Sequence, residues 1–118
     1  QESPANGEQQ AHMRLPLDIW QQDENFVINA YLPGVDPESV EITWENDELT
    51  IQGELAAPGI EGEWLRRELF HGHFERRVGF NVPVDTDKIE ADFHNGLLTL
   101  TLPKAETVRP KQIKVQAR

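Results

Sequence analysis

Residues 89–103 read IEADFHNGLLTLTLP, and this stretch decides the fold because it encodes two strands and the turn between them. In its second half leucine alternates with threonine, which is the pattern of a strand that buries one face. The pair Asn95-Gly96 separates this run from a preceding alternating run, and this is the strongest short-range signal for a β-hairpin. The stretch therefore predicts two antiparallel strands joined by a tight turn.

The same alternation recurs along the rest of the chain. Val40, Ile42 and Trp44 alternate with polar residues, and after a turn at residues 46–48 the alternation resumes from Leu49. Further strand-like runs occupy residues 26–32, 64–69 and 74–82. Turn residues separate these runs, and none of them has helical periodicity. The sequence thus predicts an all-β fold, an immunoglobulin-like antiparallel β-sandwich of about seven to eight strands.

Three parts of the chain differ in composition. Residues 1–13 are polar and lack hydrophobic periodicity, so they predict an N-terminal arm that is either short or truncated. Residues 14–104 contain the strand patterns and predict the β-sandwich domain. Residues 105–118 predict a C-terminal extension, in which Ile113 and Val115 flank a lysine without any local apolar partner.

Charge is distributed unevenly along the 118 residues, whose formal net charge is −10. Residues 104–118 hold five basic residues and one glutamate, so the other 103 residues carry a net charge of −14. Such an acidic body repels phosphate groups, and we therefore expect no nucleic-acid partner. The basic extension suggests binding to the acidic body of the chain's own kind, although an extension that simply stays solvated accounts for the charge equally well.

The sequence lacks the patterns of several locations and chemistries. No apolar run is long enough to cross a bilayer, so we expect no membrane partner. Cysteine is missing, which fits a reducing compartment and favours a cytoplasmic location. No lysine follows a glycine, as a phosphate-binding loop requires, and neither serine lies in a nucleophile elbow. We therefore predict no enzymatic activity and no cofactor.

Two histidines and several acidic pairs are the remaining candidates for chemistry. His71 and His73 would project from one face of an extended strand, as metal ligands often do, but Gly72 between them indicates a turn. We therefore expect exposed histidines and no metal site. Acidic pairs such as Asp85 and Asp87 lie in predicted turns, where aspartate caps backbone groups, so a structural role accounts for them.

Two arginine doublets, at residues 66–67 and 76–77, fall in predicted strands. Neighbouring residues of a strand point to opposite faces, so one arginine of each doublet must face inward or sideways and the other outward. A buried guanidinium group needs a carboxylate partner, and we therefore expect ion pairs between strands or between subunits.

The chain resembles the small heat-shock protein family at several places that follow in the family's order. Residues 91–104, ADFHNGLLTLTLPK, are similar to the family signature of an alanine, three variable residues, Asn-Gly, two aliphatic residues and an alternating strand that ends in Pro-Lys. The tripeptide Ile113-Lys114-Val115 resembles the family's C-terminal motif. Further matches are LPGV at 32–35, VEITW at 40–44, LTIQGE at 49–54 and FER at 74–76.

This resemblance implies an α-crystallin domain and an ATP-independent holdase, a chaperone that binds partly unfolded client proteins and prevents their aggregation under stress. It also implies assembly into a homodimer or a larger homo-oligomer. In bacterial and plant members, the loop that corresponds to residues 55–63 carries a strand that swaps onto the partner. Here this implies dimer contacts for Ile60, Trp64 and Arg76. The segment at 74–83 is longer than the family pattern, which leaves the register of Arg76 and Arg77 open.

The resemblance also implies where the C-terminal motif binds. Ile113 and Val115 would dock into a groove between two strands of another subunit, and release of this groove would make it available to clients. By position the groove is lined by Val40, Ile42, Trp44, Ile89, Ala91 and Phe93.

Two other functions stay open on the sequence. A co-chaperone or adaptor that resembles the CS domain would keep the sandwich and bind one folded partner, but it needs neither the C-terminal motif nor the swapping loop. A β-sandwich enzyme or carbohydrate-binding module would need exposed aromatic residues on one face. Against this, we predict Trp20, Trp44 and Trp64 in strands, with core or interface roles.

Overall fold

The computed structural model describes residues 12–117, which form two four-stranded β-sheets. The strands are β1 (His12–Arg14), β2 (Asp18–Gln22), β3 (Asn25–Tyr31), β4 (Glu41–Glu45), β5 (Glu48–Leu55), β6 (Gly72–Gly79), β7 (Glu90–His94) and β8 (Leu97–Pro103). One sheet has the order β1-β6-β5-β4, and the other has the order β2-β3-β8-β7. All pairings are antiparallel except the parallel pairing of β1 with β6. The predicted all-β sandwich is confirmed. Short 3₁₀ turns are found at Pro37–Ser39, Thr86–Lys88 and Glu106–Val108.

The core lies between the sheets and consists of the inward residues of the alternating strands. Along β8 the leucines at 98, 100 and 102 are buried, while the threonines between them are only half-buried. A shift of one residue in register would turn this whole set of leucines outward, so the alternation fixes the register of the strand. The buried apolar residues are Leu15, Ile28, Ala30, Leu32, Val35, Leu49, Ile51, Phe74, Leu98, Leu100 and Leu102.

Residues with left-handed backbone conformation close the tight hairpins. Asn95 and Gly96 have φ angles of 52° and 80°, and Asn46 and Asp47 have φ angles of 56° and 60°. Two positive φ angles in succession give a turn whose twist matches that of the flanking strands. The hairpins predicted between β7 and β8 and between β4 and β5 are thus confirmed.

The chain path shows which edges of the two sheets lie on the same side of the sandwich. β1 is an edge of the first sheet and β2 is an edge of the second, and only residues 15–17 connect them. Three residues span about 10 Å, which is about the spacing between packed sheets. β1 and β2 therefore lie over one another. Because each sheet has four strands, the opposite edges β4 and β7 share the other side.

Two segments differ from the sequence-based prediction. No strand lies within residues 56–71, so the strand predicted at 64–69 is wrong for the single chain. Its leucines Leu65 and Leu69 are 92% and 80% exposed, since no sheet edge within residues 12–117 covers them. At the N-terminal end, the first sheet begins at His12, inside the segment predicted as an arm, because β1 pairs with β6. The remainder of the predicted arm lies outside the described residues.

Candidate functional site

β4 is an edge strand of the first sheet, and its two faces differ in chemistry. Ile42 and Trp44 stand opposite fully buried residues of β5, so both side chains face the core, and both are half-buried. Val40, which precedes the strand, is also half-buried. The outward side chains of β4 are the exposed residues Glu41, Thr43 and Glu45.

β7 is the corresponding edge strand of the second sheet. Ala91 and Phe93 stand opposite buried leucines of β8, so both face the interior; Phe93 is half-buried and Ala91 is exposed. Ile89 lies just before the strand and is half-buried. The outward side chains of β7 are the exposed residues Glu90, Asp92 and His94.

The inward side chains of the β4 and β7 edges are mostly apolar, and we call the surface that they form at this side of the sandwich the edge groove. Among the described residues, neither β4 nor β7 has a second strand hydrogen-bonded to its outer side. Such free edges are templates for an added strand or an extended peptide. Five of the six residues predicted to line the groove pack against one apolar core, and Ala91 is the exception. These five are Val40, Ile42, Trp44, Ile89 and Phe93.

The C-terminal extension exposes its apolar motif. Ile113 is 83% exposed and Val115 is 95% exposed, so the motif is not packed into the edge groove of its own chain. The extension is held at its start, where Nε of Arg109 donates a hydrogen bond to the carbonyl oxygen of Lys104 at 2.9 Å. Residues 109–117 contain no helix or strand. The docking of this motif into a groove therefore stays a prediction, and within the described residues the motif itself is exposed.

The loop between β5 and β6 carries further exposed apolar surface. Ile60 is 43% exposed and Trp64 is 42% exposed, and the guanidinium carbon of Arg67 lies 4.3 Å from the centre of the Trp64 ring. Arg66 and Glu68 form an ion pair of 3.1 Å in which both side chains are exposed. Neither arginine of this doublet faces the interior, because the segment is not a strand. The ion pair expected between strands is therefore wrong for this doublet, and an ion pair between subunits stays a prediction.

Arg76 points inward from β6, as predicted for one arginine of the second doublet. It stands opposite the fully buried Ile51, and its Nη1 donates a hydrogen bond to the carbonyl oxygen of Leu15 at 2.8 Å. Its Nε is buried and has no hydrogen-bond partner among residues 12–117. A backbone carbonyl thus replaces the carboxylate that we expected, and the predicted ion pair is wrong within the single chain.

The outer face of β6 carries a small network of charged residues. Nε of Arg77 donates a hydrogen bond to Oε2 of Glu75 at 2.8 Å, and Nε2 of His73 lies 3.8 Å from Oε1 of the same residue. The hydrogen bond lowers the pKa of Glu75 and raises the pKa of Arg77, because it favours the charged form of each group. The ring of His12 on β1 meets the His73 ring edge-on, with a distance of 5.4 Å between ring centres.

The prediction that His71 and His73 are exposed is wrong, since both are half-buried. β6 begins at Gly72, so His73 lies inside the sheet between β1 and β5 instead of in a turn. Over residues 12–117, no group of three or more histidine, cysteine, aspartate or glutamate side chains is arranged to hold a metal ion. The helices in that range are also too short and too polar to cross a membrane.

The β2 edge is a surface that sequence reasoning missed. Ile19 and Trp20 are 42% and 39% exposed, and they project to opposite faces of this edge strand. Nε1 of Trp20 donates a hydrogen bond to Oε1 of Gln22 at 3.0 Å. The prediction of strand positions is confirmed for Trp20 and Trp44 and is wrong for Trp64.

The fold and these edges define a class of protein, a β-sandwich with two free apolar edges on one side and an exposed Ile-x-Val motif at the end of the same chain. The sequence profile of the Hsp20/alpha crystallin family matches residues 18–117, and the chain belongs to this family. It is therefore a chaperone of the small heat-shock type, and the resemblance seen in the sequence is confirmed. The CS-domain alternative finds no support.

The relatives and solved structures similar to this chain agree with this assignment. The "18 kDa antigen 1" of Mycobacterium intracellulare is 38% identical over 101 residues, which cover 86% of this chain and 68% of that protein. The "18 kDa heat shock protein" of Streptomyces albus G is 35% identical over 104 residues, covering 86% and 72% of the two chains. The structure of heat shock protein 16.0 from Schizosaccharomyces pombe superimposes with a TM-score of 0.73 at 34% identity and covers 88% of this chain and 99% of that one.

A small heat-shock protein from Xylella fastidiosa, described as having a distinct high order structure, matches with a TM-score of 0.70 at 30% identity. The match covers 91% of this chain and 100% of that one. Small heat-shock proteins of this family act as chaperones rather than as enzymes.

Proposed function

We propose that this small heat-shock protein works as a homodimer whose edge grooves hold either the C-terminal motif of another copy or an apolar segment of a partly unfolded client. One observation supports the proposal most directly: apolar surface is left uncovered at two places of the described chain. The groove has half-buried apolar residues at two unpaired edges, and Ile113 and Val115 are exposed. Exposed apolar surface of this kind is typical of a site that another molecule covers.

The energetics support reversible docking. Burying one isoleucine or valine side chain contributes about 1.5–3 kcal/mol, so Ile113 and Val115 together contribute about 3–6 kcal/mol. Ordering each residue of the extension costs about 1–2 kcal/mol of backbone entropy, and three ordered residues thus offset most of that gain. A single docked tail is therefore weakly held. An unfolding client that exposes similar apolar segments competes with it for the same groove, and this exchange needs no nucleotide.

The loop between β5 and β6 supports the dimer part of the proposal. Its residues 64–69 were predicted as a strand, in which Leu65 and Leu69 would share one face, but they have no strand partner among residues 12–117, and both leucines are almost fully exposed. The β2 edge is unpaired within the described chain. We therefore propose that this loop pairs with a second copy, with contacts from Ile60 and Trp64 and with Arg76 close to the contact.

The test of the chaperone part is suppression of aggregation. A model protein that aggregates on heating is mixed with the full chain in a buffer without ATP, and light scattering is recorded against time. We expect scattering to fall as the chain approaches stoichiometric amounts, and full scattering at a molar excess would contradict the holdase function. An equal amount of an unrelated acidic β-sandwich protein controls for crowding and for net charge.

The remaining parts of the proposal concern location and other partners. We propose a cytoplasmic location and no enzymatic activity of this chain, because its sequence has no cysteine and no catalytic motif. The acidic body argues against a nucleic-acid partner. The same net charge would keep a complex with a client in solution.

A further inference from the structure

We infer that the edge groove selects the tail of a second copy by charge as well as by apolar contact. In this arrangement, Lys111 and Lys114 of one copy pair with the outward carboxylates of the two groove edges of another copy. The inference rests on the proposed docking of the tail and adds a specificity and a salt dependence to it.

The two edges that border the groove carry a row of carboxylates on their outward faces. Glu41 and Glu45 alternate with the inward Ile42 and Trp44 on β4. Glu90 and Asp92 take the same outward positions on β7. All four carboxylates belong to exposed residues, and none of them has an ion-pair partner among residues 12–117. The rim of the groove is therefore negative, and its charge is uncompensated within the described chain.

The tail has the opposite charge. Residues 107–118 contain four basic residues and no acidic residue. Lys111 and Lys114 are exposed, and neither forms an ion pair among residues 12–117. Both partners thus offer free charges, which is the electrostatic complementarity that fixes register and partner choice at an interface.

The spacing of the strand fits both contacts at once. In an extended tail Ile113 and Val115 point into the groove, and Lys114 between them points outward, towards the rim. Lys111 lies on the same face as Ile113 and Val115, two residues before the motif, so its long side chain must bend from the end of the groove towards a carboxylate, whereas Lys114 points outward directly. Lys111 and Lys114 are about 10 Å apart, and Glu41 and Glu45 are about 13 Å apart along β4, a difference that flexible lysine side chains can span. The apolar contacts of Ile113 and Val115 and the ion pairs of Lys111 and Lys114 can therefore form in the same docked conformation.

This charge contribution supplies selectivity more than affinity, because a segment of equal hydrophobicity without lysines lacks it. Exposed ion pairs are individually weak and are screened by salt. Two of them are nevertheless sufficient to favour this tail over an uncharged segment of equal hydrophobicity. An increase in ionic strength then frees the groove, while the apolar lining stays available to clients.

The experiment measures binding of a fluorescein-labelled peptide of residues 105–118 to the full chain carrying Ile113→Gly and Val115→Gly, so that the chain's own tails do not compete. Fluorescence anisotropy gives the Kd at low and at high NaCl. We expect Glu41→Gln with Glu45→Gln to weaken binding about three- to tenfold at low salt and to flatten the salt dependence. The control Glu54→Gln with Glu61→Gln removes equal charge away from the groove edges and leaves the Kd unchanged.

Charge reversal completes the test. A peptide with Lys111→Glu and Lys114→Glu binds weakly to this acceptor, and Glu41→Lys with Glu45→Lys in the acceptor restores its binding. Binding that responds neither to salt nor to these changes overturns the inference. In that case the proposed docking still holds if the unchanged peptide binds and the peptide with Ile113→Gly and Val115→Gly does not. If the unchanged peptide does not bind at any salt concentration, the docking itself is wrong.

Discussion

Nη1 of Arg76 donates a hydrogen bond to the carbonyl oxygen of Leu15, 2.8 Å away, and so ties the first sheet to the link that leads into the second. Leu15 is fully buried and follows β1, the strand whose position fixes how the two sheets overlie each other. A buried carbonyl that loses its donor keeps its desolvation penalty. This contact therefore joins β6 to the buried link between β1 and β2.

We predict that Arg76→Ala lowers the free energy of unfolding by about 1–3 kcal/mol, because it leaves the Leu15 carbonyl unpaired. Urea unfolding followed by tryptophan fluorescence measures the change. The control is Arg77→Ala, which removes an exposed, solvent-screened ion pair from the same strand and is expected to cost clearly less than Arg76→Ala. Equal losses of stability in the two variants would show that the hydrogen bond from Arg76 to Leu15 contributes no more than the exposed ion pair.

Gly53 provides a second test of the packing between β5 and β6. It stands directly opposite Phe74, and a Cβ atom at position 53 would lie 2.5 Å from Cζ of that ring. Phe74 is fully buried, so the ring or its neighbours must shift to admit the methyl group, and Gly53→Ala causes overpacking. We predict a loss of about 1–3 kcal/mol in the free energy of unfolding, measured by urea titration. Gly59→Ala is the matched control, since a Cβ there meets nothing within 4 Å, and a similar loss in that variant would contradict the explanation.

The network on the outer face of β6 predicts a dependence of stability on pH. The hydrogen bond from Arg77 lowers the pKa of Glu75 in the folded chain. A glutamate whose pKa is lower in the folded than in the unfolded chain stabilises the fold while it is ionised. This stabilisation is fully present above the unfolded-state pKa, and it is lost as the pH falls through the folded-state pKa. We therefore expect Glu75→Gln to reduce the thermal stability at neutral pH and to have no such effect in strong acid. Melting temperatures between neutral and acidic pH measure this, with Glu54→Gln as control, and an effect that persists unchanged in acid would refute it.

Much of the fold could be predicted from the sequence, because apolar and polar residues alternate along β4, β5, β7 and β8 and so identify the buried face of each strand. β1 could not be predicted, since three residues are too few to show a period and its pairing with β6 is set by the tertiary structure. The six residues of the edge groove came from family resemblance. The alternation of apolar and polar residues nevertheless predicts which side chains face inward. It does not predict that the inward Ala91 is exposed, because that exposure depends on whether the β7 edge is covered.

The strand predicted at residues 64–69 was wrong for a physical reason that informs the dimer proposal. The spacing of Leu65 and Leu69 indicates that one face of an extended segment is suited to burial, but it does not say which chain provides the covering surface. Leu65 and Leu69 are exposed in the single chain, so the pattern is unused there. A partner chain would supply the missing edge.

The loop between β5 and β6 therefore yields a prediction on assembly. Deletion of residues 56–62 shortens the connection, so that residues 64–69 no longer reach a second copy, and we expect monomers. Light scattering coupled to size exclusion measures the mass, and circular dichroism checks that the sandwich stays folded. As a control, Gly59→Ala and Gly62→Ala leave the length of the loop unchanged, and both sites have free space around them. Dimers that persist in a folded deletion variant would remove the loop from the interface.

The last prediction concerns the motif in the C-terminal extension. Ile113→Gly with Val115→Gly removes the two apolar side chains that are 83% and 95% exposed, so the stability of the single chain should not change. We expect any assembly larger than a dimer to become smaller, because the gain of about 3–6 kcal/mol from burying both side chains is lost at every docked tail. Sizing by light scattering measures the change, and Gln112→Gly with Gln116→Gly controls for the added flexibility of glycine. An unchanged mass in the double variant of a protein that is larger than a dimer would mean that the tails do not hold the assembly together.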